Sequence, residues 1–274
     1  EDMGDSWQSV DLFGEKNISL IWTDSEGKLF IAGCSGEANS PDGVTRGHTL
    51  YCSTDGLKSF VPLTAPDPVK YENSSYYGFV PQRITSDSRY IYITFASSGE
   101  VFYGGMGAYA CDTGSLSGGK VYRYRIENGV PVFNKDITPE DHIPCGYSGI
   151  CSNGKMLLLS TVCRKNGGDI IYTSTDSGES WKIIMNRLEY CRFDWNIPYM
   201  KPRYNGGGNC VHWISDIKLS PFDSDTALFN TGTGLFMITG LASGDVLVKP
   251  FCEGIEETVH LNVCLLYTSP SPRD

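Results

Sequence analysis

Short runs of alternating hydrophobic and polar residues follow one another along most of the chain, and Gly, Asn, Asp and Ser separate them. This two-residue period is typical of β-strands with one buried face, and no long stretch shows the 3.6-residue apolar period of an amphipathic helix. We therefore predict an all-β fold with little helix. The runs that we interpret as strands are residues 17–23, 28–34, 50–53, 90–95, 120–126, 130–137, 147–151, 155–162, 213–219, 227–231, 235–239, 246–249 and 257–263.

Residues 171–184 contain the clearest unit of this pattern, which is a strand, a tight turn and a second strand. Ser174, Asp176 and Gly178 occupy the turn. The aspartate carboxylate can accept hydrogen bonds from backbone N–H groups of the turn, and glycine tolerates a positive φ. Trp181 then begins the return strand with a large apolar side chain to bury.

The same order of turn residues occurs twice more. Residues 53–60 keep Ser53, Asp55 and the aromatic Phe60, with Leu57 at the position of the glycine. Residues 2–7 match the second part of the unit. The distance from the first copy to the second suits one four-stranded propeller blade with a loop insertion. We expect the aspartates to be structural and the aromatic residues to pack within blades; the residues of the first copy are Asp2, Gly4 and Trp7.

Three other segments are predicted to connect strands. Asn128-Gly129 is a strong hairpin-turn pair. Residues 97–119 are rich in Gly and Tyr, and residues 186–208 are irregular with several Pro and Gly. Long loops of this kind commonly carry function, so we expect binding residues there.

The chain has 274 residues, enough for one large β domain or two smaller ones. Its formal net charge of −10 argues against nucleic acid and anionic membranes as partners, because both bind clustered Lys and Arg. No apolar run approaches the roughly 18 residues of a membrane span, and no signal peptide is visible. A neutral or cationic ligand is compatible with this net charge.

Ten cysteines favour disulfides and an extracellular location. None falls in a Cys-x-x-Cys pair and the four histidines show no metal spacing, so we expect neither a metal nor another cofactor. Cys191 with Cys210 and Cys145 with Cys151 are two of the pairings that remain open. Scattered buried thiols are the alternative. Glycosylation sequons begin at Asn17 and Asn73.

Several segments resemble glycoside hydrolase family 74. Residues 169–181 resemble the Asp-box of β-propellers, and residues 213–225 with 231–234 look like that family's Trp-rich "IDPFNP…YGTG" segment. Shorter matches are residues 136–139 ("DITP"), 146–150 ("GFxGL") and 254–257 ("GIEE"). In order and spacing the resemblance extends from about residue 1 to Val263.

The resemblance implies an incomplete β-propeller with Asp-box repeats, about four to five blades of a seven-bladed ring. Residues 1–250 would form this partial propeller and residues 251–263 the start of a following one. Residues 264–274 resemble one reading frame of a transposase-type sequencing adapter, so we interpret them as non-native.

Members of this family hydrolyse β-1,4-glucan backbones, typically xyloglucan, with inversion and without metal. Inversion needs two carboxylic groups roughly 6.5–9.5 Å apart. In the family both are Asp, one after an Ala-Arg-Thr segment and one in a Gly-Asp segment shortly after "GIEE". Neither motif occurs in this sequence, so the catalytic pair is expected outside a chain truncated at both ends, and the chain itself is expected to be inactive.

Exposed aromatic side chains can stack on sugar rings, and we name four candidates for substrate binding: Trp195, Trp213, Tyr147 and Tyr77. A place in the core is the alternative for each. Five carboxylates could replace a missing pair, although a turn or solvent position is the simpler interpretation for each: Asp194, Asp216, Asp223, Glu256 and Glu257.

The resemblance therefore predicts part of a secreted, monomeric enzyme that degrades plant cell-wall polysaccharide. The alternative is a non-catalytic Asp-box propeller that binds glycans or proteins. A sialidase is a third hypothesis, and it would need an arginine triad that grips a carboxylate. Arg83, Arg123 and Arg203 do not lie in recognisable contexts for that role.

Overall fold

The computed structural model of the protein describes residues 5–12, 18–35, 47–63, 79–97, 119–140, 146–162, 169–186, 191–197, 211, 214–232 and 234–254. These residues form strands, turns and bends, and none of them lies in a helix. The prediction of an all-β fold is confirmed. No helix in this part of the chain is long and apolar enough to cross a membrane.

The strands form four sheets, and within each sheet two strands that are joined by a hairpin lie side by side. The first sheet contains β1 (Ile18–Thr23), β2 (Phe30–Ser35), β3 (Gly47–Ser53) and β4 (Val61–Leu63). The second contains β5 (Phe79–Ser86), β6 (Tyr90–Ser97), β7 (Lys120–Glu127) and β8 (Val130–Asp136). The third contains β9 (Gly146–Ser152), β10 (Leu157–Val162), β11 (Ile170–Ser174) and β12 (Lys182–Asn186). The fourth contains β13 (Arg192–Phe193), β14 (Asp216–Leu219), β15 (Ala227–Thr231), β16 (Gly234–Thr239) and β17 (Leu247–Pro250).

Successive sheets are arranged as the blades of a β-propeller. The first antiparallel strands of neighbouring blades lie beside each other, β1 with β5, β5 with β9 and β9 with β14. The hydrophobic core lies between the blades, where three clusters of buried residues join blades 1 and 2, blades 2 and 3, and blades 3 and 4. The predicted incomplete propeller is confirmed, with four described blades. A ring of seven remains a prediction.

Two glycines permit neighbouring blades to approach closely. A Cβ atom at Gly149 would lie 2.8 Å from the backbone nitrogen of Ile217 in the next blade. A Cβ atom at Gly33 would lie 2.5 Å from Cγ of Pro81. Any side chain at either position would push neighbouring strands apart, β9 from β14 at Gly149 and β2 from β5 at Gly33, because packed interiors have no spare volume.

The connections divide the propeller into two faces. The links between first and second strands and between third and fourth strands leave one end of the antiparallel sheets, which we call the turn face. The links between second and third strands and between blades leave the opposite end, the loop face. The turns of the turn face are short, whereas the strands that flank residues 36–46, 64–78, 98–119 and 194–215 have those ends at the loop face.

The predicted hairpin turn at Asn128-Gly129 is confirmed, and a second short turn joins β1 to β2. Asn128 and Gly129 join β7 to β8 with φ angles of 52° and 82°, the left-handed pair that an Asn-Gly turn requires. Between β1 and β2, the Asp24 carboxylate accepts a 2.7 Å hydrogen bond from the backbone N–H of Lys28. Both turns depend on neighbours in sequence, so the sequence pattern was sufficient.

Strand β5 was missed by the sequence analysis. A register shift lies between Pro81 and Arg83, so the strand contains a β-bulge and its alternation is broken. Gln82 is buried there, although glutamine is mostly exposed in proteins. The predicted strand 213–219 begins only at Asp216.

The first copy of the turn unit does not form a hairpin in the described residues, since residues 5–12 contain no strand. Trp7 is 89% exposed, so the prediction that it packs within a blade is wrong in this structure. No described strand lies against it to cover the indole. Asp2 and Gly4 lie outside the described residues.

Buried thiols, the alternative to disulfides in the sequence analysis, occur among the described cysteines, and one of them is a member of the Cys145–Cys151 pairing that was left open. Cys52 and Cys151 are free and buried. Burial raises the pKa of the Cys151 thiol to about 12, which outweighs the lowering effect of the Lys218 ammonium. Cys210, one possible partner of Cys191, lies outside the described residues.

Residues 255–274 also lie outside the described residues. They include most of the segment 251–263, which we interpret as the start of a following propeller, and all of the adapter-like end.

Candidate functional site

The turn between β11 and β12, which carries the Asp-box sequence pattern, has its polar side chains hydrogen-bonded to one another. The Asp176 carboxylate accepts a hydrogen bond from the Ser174 hydroxyl at 2.7 Å and from the Ser180 backbone N–H at 3.0 Å. The backbone N–H of Gly178 donates to the Ser174 hydroxyl oxygen at 2.8 Å. Gly178 has a φ of +85°, and a Cβ atom there would lie 2.6 Å from Cδ1 of Ile137.

The turn between β3 and β4 repeats this arrangement. The Asp55 carboxylate accepts hydrogen bonds from the Ser53 hydroxyl at 2.9 Å and the Ser59 hydroxyl at 2.6 Å. Leu57 takes the place of Gly178 with a φ of 67°, and its backbone N–H still donates to the Ser53 hydroxyl oxygen at 3.0 Å. A leucine in the left-handed region is strained, so the surrounding hydrogen bonds hold it there. Phe60 is half-buried.

These hydrogen bonds keep both aspartates ionised. Bonds from Ser59 and Ser53 lower the pKa of the Asp55 carboxyl to about 2. At Asp176 desolvation raises the pKa, but the bonds from Ser180 and Ser174 outweigh it and also bring the value to about 2. A general acid needs a pKa near the working pH, so neither aspartate suits that role at neutral pH.

The Asp-box turn of blade 3 is also attached to blade 2. Arg123, whose side chain is 7% exposed, donates at 2.7 Å to the Glu179 carboxylate and at 2.8 Å to the backbone carbonyl of Ser177. Its guanidinium lies 4.5 Å from the centre of the Tyr90 ring. The indole N–H of Trp181 donates at 2.7 Å to the carbonyl of Ile137. We call these contacts the interblade latch.

The latch was missed by sequence reasoning. Its one local signal is Arg123 itself, a charged residue inside the buried run of residues 121–124 in β7. The latch also bears on the sialidase hypothesis, because Arg123 is bound by protein groups, and Arg83 donates at 3.2 Å to the carbonyl of Ser215. Neither arginine is placed to grip a substrate carboxylate; Arg203 lies outside the described residues.

Of the four predicted sugar-binding aromatics, the structure describes two. Tyr147 is 1% exposed and packs in the cluster between blades 2 and 3, so its ring is not accessible to a sugar and that prediction is wrong. Trp195 follows the edge strand β13 and is half-buried. Its ring stacks on Phe193, with the centroids 5.0 Å apart and the planes at 8°. Trp213 and Tyr77 lie outside the described residues.

Position in the fold explains why Trp195 remains a candidate. Strand β13 pairs in parallel with β17, the fourth strand of blade 4, so its carboxyl end points to the loop face. Trp195 lies two residues past Phe193 at that end. A paired aromatic surface at the edge of the loop face is a suitable platform for a pyranose ring, because sugars present apolar C–H faces.

The candidate replacement carboxylates have structural contacts where they are described. Asp216 is 1% exposed and lies 3.0 Å from the Lys218 ammonium. Asp223 accepts hydrogen bonds from the Thr226 hydroxyl and the Asp225 backbone N–H, which lower its pKa, so it caps a turn as expected. Asp194 is exposed. Glu256 and Glu257 lie outside the described residues. Within the described ranges, no three His, Cys, Asp or Glu side chains are grouped as metal ligands.

The sequence and the fold of this chain are both similar to those of known xyloglucanases. No protein-family model matches the chain. The chain is 23% identical over 317 aligned positions to the oligoxyloglucan-reducing end-specific xyloglucanase of Emericella nidulans. That alignment covers 95% of this chain and 37% of the xyloglucanase.

Two solved structures share the fold. The glycoside hydrolase family 74 xyloglucanase of Xanthomonas campestris superposes with a TM-score of 0.61 at 19% identity, covering 85% of this chain and 30% of that chain. The family 74 enzyme of Niastella koreensis superposes with a TM-score of 0.58 at 19% identity, covering 85% and 31% respectively. The predicted resemblance to family 74 is thereby confirmed, and the chain spans about a third of the length of these relatives.

Proposed function

We propose that this chain is part of a family 74 glycoside hydrolase that acts on xyloglucan, with the loop face of the propeller directed toward the polysaccharide. The observation that carries the proposal is the similarity to a xyloglucanase along 95% of the chain. The propeller fold supports it, since the long connections that carry function in such folds all leave one face. A neutral polysaccharide is compatible with the net charge of −10.

The proposed reaction is hydrolysis of the β-1,4-glucan backbone with inversion. One carboxylic acid would protonate the leaving glycosidic oxygen, while a second carboxylate would remove a proton from the water that attacks the anomeric carbon. The described carboxylates do not suit these roles, because Asp55 and Asp176 are held ionised in turns and Asp216 is buried against Lys218. We therefore place the catalytic pair in parts of the enzyme outside this chain.

The contribution of this chain would be substrate binding. Trp195, supported by Phe193, is proposed to stack on a sugar ring at the edge of the loop face. Trp213 and Tyr77 remain proposed contacts on the basis of the sequence alone. The ten cysteines and two sequons support a secreted protein, and we propose that it acts as a monomer.

Hydrolysis of soluble xyloglucan by the longer protein, with the flanking sequence restored, tests the proposal. New reducing ends should appear, and proton NMR should detect the α-anomer first, because inversion converts a β-linkage to an α-product. This chain alone should release none. Activity of this chain by itself would contradict the placement of the catalytic pair.

Binding of xyloglucan oligosaccharides to this chain tests the loop-face contact separately. Trp195→Ala should weaken binding about tenfold, which corresponds to about 1.4 kcal/mol, whereas Trp195→Phe should keep most of the affinity. Equal affinity in all three proteins would remove Trp195 from the site.

A non-catalytic propeller that binds glycans is the second candidate. The hydrogen bonds that hold Asp55 and Asp176 in their turns favour it, because they leave these carboxylates no part in catalysis. If the longer protein bound xyloglucan with no release of reducing ends, this candidate would replace the enzyme.

A further inference from the structure

A cavity of about 470 Å³ opens between blades 3 and 4 on the turn face, away from the proposed loop-face contact. Two turns form it, the link between β9 and β10 and the link between β14 and β15. Its lining combines hydroxyl, amide and ammonium groups with one aromatic ring: Ser152, Asn153, Lys155, Ser220, Phe222 and Ser224. The volume lies within the usual range of small-molecule sites.

Phe222 is the unusual member of this lining because 83% of the residue is exposed. Its turn is held firmly from both sides. The Ser220 hydroxyl oxygen accepts the backbone N–H groups of Phe222 and Asp223 at 3.2 Å, and the Thr226 hydroxyl donates to the Asp223 carboxylate at 2.6 Å. The turn therefore presents the ring to solvent on a backbone that has little conformational freedom to lose on binding.

The opposite wall is held in the same way. The Asn153 side-chain oxygen accepts the backbone N–H groups of Lys155 and Met156 at 3.1 and 2.9 Å. The Lys155 ammonium makes no ion pair with any residue that the structure describes, so its donors can serve a ligand. The wall thus offers hydrogen-bond donors beside the aromatic ring of the facing turn.

The chemistry of the cavity favours a neutral, hydroxyl-rich ligand. The one carboxylate at its rim, Asp223, is already bonded within its own turn, and the protein as a whole is acidic, which disfavours an anion. A pyranose ring has an apolar face for Phe222 and hydroxyl groups for Lys155 and the serines.

We propose that the turn-face cavity is a second carbohydrate-binding site, with Phe222 as the stacking platform and Lys155 as the principal donor. The inference rests on the proposed function only for the choice of a β-1,4-linked glucan as its ligand. Such a site would hold a second stretch of polysaccharide while another stretch lies on the loop face, and it would raise the local substrate concentration without taking part in the chemistry.

Titration of this chain with cellotetraose and with a xyloglucan oligosaccharide, followed by NMR shift changes, tests the site. Signals of the 152–155 and 220–224 turns should shift with saccharide. Phe222→Ala should weaken this response about tenfold and Lys155→Met severalfold, whereas Phe222→Trp should retain it. The matched control is Phe251→Ala, because Phe251 is 52% exposed and lies outside the cavity lining.

The outcomes separate this inference from the proposed function. Unchanged turn-face signals at millimolar saccharide, or an equal response in Phe222→Ala with an unchanged melting temperature, would overturn the second site. Xyloglucan hydrolysis by the longer protein would be unaffected by that result. Conversely, turn-face binding by a longer protein that lacks hydrolase activity would support the second site and contradict the enzyme.

Discussion

The two described turns with the Asp-box pattern share four internal hydrogen bonds and have different surroundings. In blade 1 the turn around Asp55 lies in solvent, and its hydrogen bonds run within residues 53–59. In blade 3 the turn around Asp176 is covered by blade 2 through Arg123 and Ile137. The comparison shows that the motif specifies a local shape, while the neighbouring blade decides how much stability depends on it.

Removal of Arg123 should give the largest effect. Arg123→Ala would leave the Ser177 carbonyl and the Asn134 side chain without their donor and would leave Glu179 with the Lys135 ammonium as its contact on blade 2, so we expect a loss of about 2–3 kcal/mol in unfolding free energy. Urea denaturation measures it. Arg125→Ala is the matched control on the same strand, where a 55% exposed side chain pairs with Glu127, and it should cost under about 0.5 kcal/mol. Equal losses of unfolding free energy in the two variants would mean that the interblade latch stabilises the fold no more than the exposed Arg125–Glu127 pair does.

Gly178→Ala should produce the next largest loss. The new methyl group would lie 2.6 Å from Ile137 in a backbone of φ +85°, so overpacking and backbone strain add to about 1–3 kcal/mol. Gly56→Ala in the blade 1 turn is the control, one position before the equivalent of Gly178, at φ +76° with nothing within 4 Å of the added Cβ, and it carries the strain without the clash. Thermal unfolding of the two variants should therefore show a larger decrease for Gly178→Ala. A larger decrease for Gly56→Ala would contradict the role of the neighbouring blade.

Acid should weaken both turns. The pKa of Asp55 and of Asp176 is about 2 in the folded protein, against an ordinary value of 3.8. Each depressed pKa contributes stability that is present above about pH 4 and is lost as the pH falls toward 2. We expect the denaturation midpoint to decrease over that window, and the double variant Asp55→Asn with Asp176→Asn to show a flatter pH profile. An unchanged profile in the double variant would assign the acid sensitivity to other carboxylates.

Leu57→Gly should give the smallest effect, with the opposite sign. Glycine removes the strain of a left-handed leucine at φ 67° but adds freedom to the unfolded chain, so we expect a net gain of no more than about 0.5 kcal/mol. A clear destabilisation would show that the 36% exposed leucine side chain contributes packing that the blade needs. Differential scanning calorimetry is sensitive enough to distinguish the two results.

Strand positions and turns were largely predictable because their causes lie within a few residues. Asn128-Gly129 favours a left-handed turn by itself, and Asp176 finds its hydrogen-bond donors within four positions. Pro81 hid strand β5, since a bulge breaks the two-residue period. Tyr147 was misassigned for a different reason, because a tyrosine on a strand has the same local pattern whether its face meets solvent or another blade.

The candidate binding regions were predictable in part. Residues 186–208 were expected to contain a binding residue, and Trp195 lies at the loop-face end of β13. The turn-face cavity had no comparable signal, because residues 152–155 and 220–224 meet only when blades 3 and 4 stack. Phe222 in a polar turn was the one local hint.

The amino-acid sequence alone determined the all-β class, the Asp-box turns and the resemblance to family 74, because these follow from period, turn chemistry and short motifs. The tertiary structure decided which side chains are covered. Arg123 became buried and Tyr147 inaccessible through the stacking of one blade on the next, whereas Phe222 stays exposed on a turn, and such contacts join residues far apart in the chain. The blade 3 turn is thus a common local motif, and its contribution to the stability of the fold comes from its contacts with blade 2.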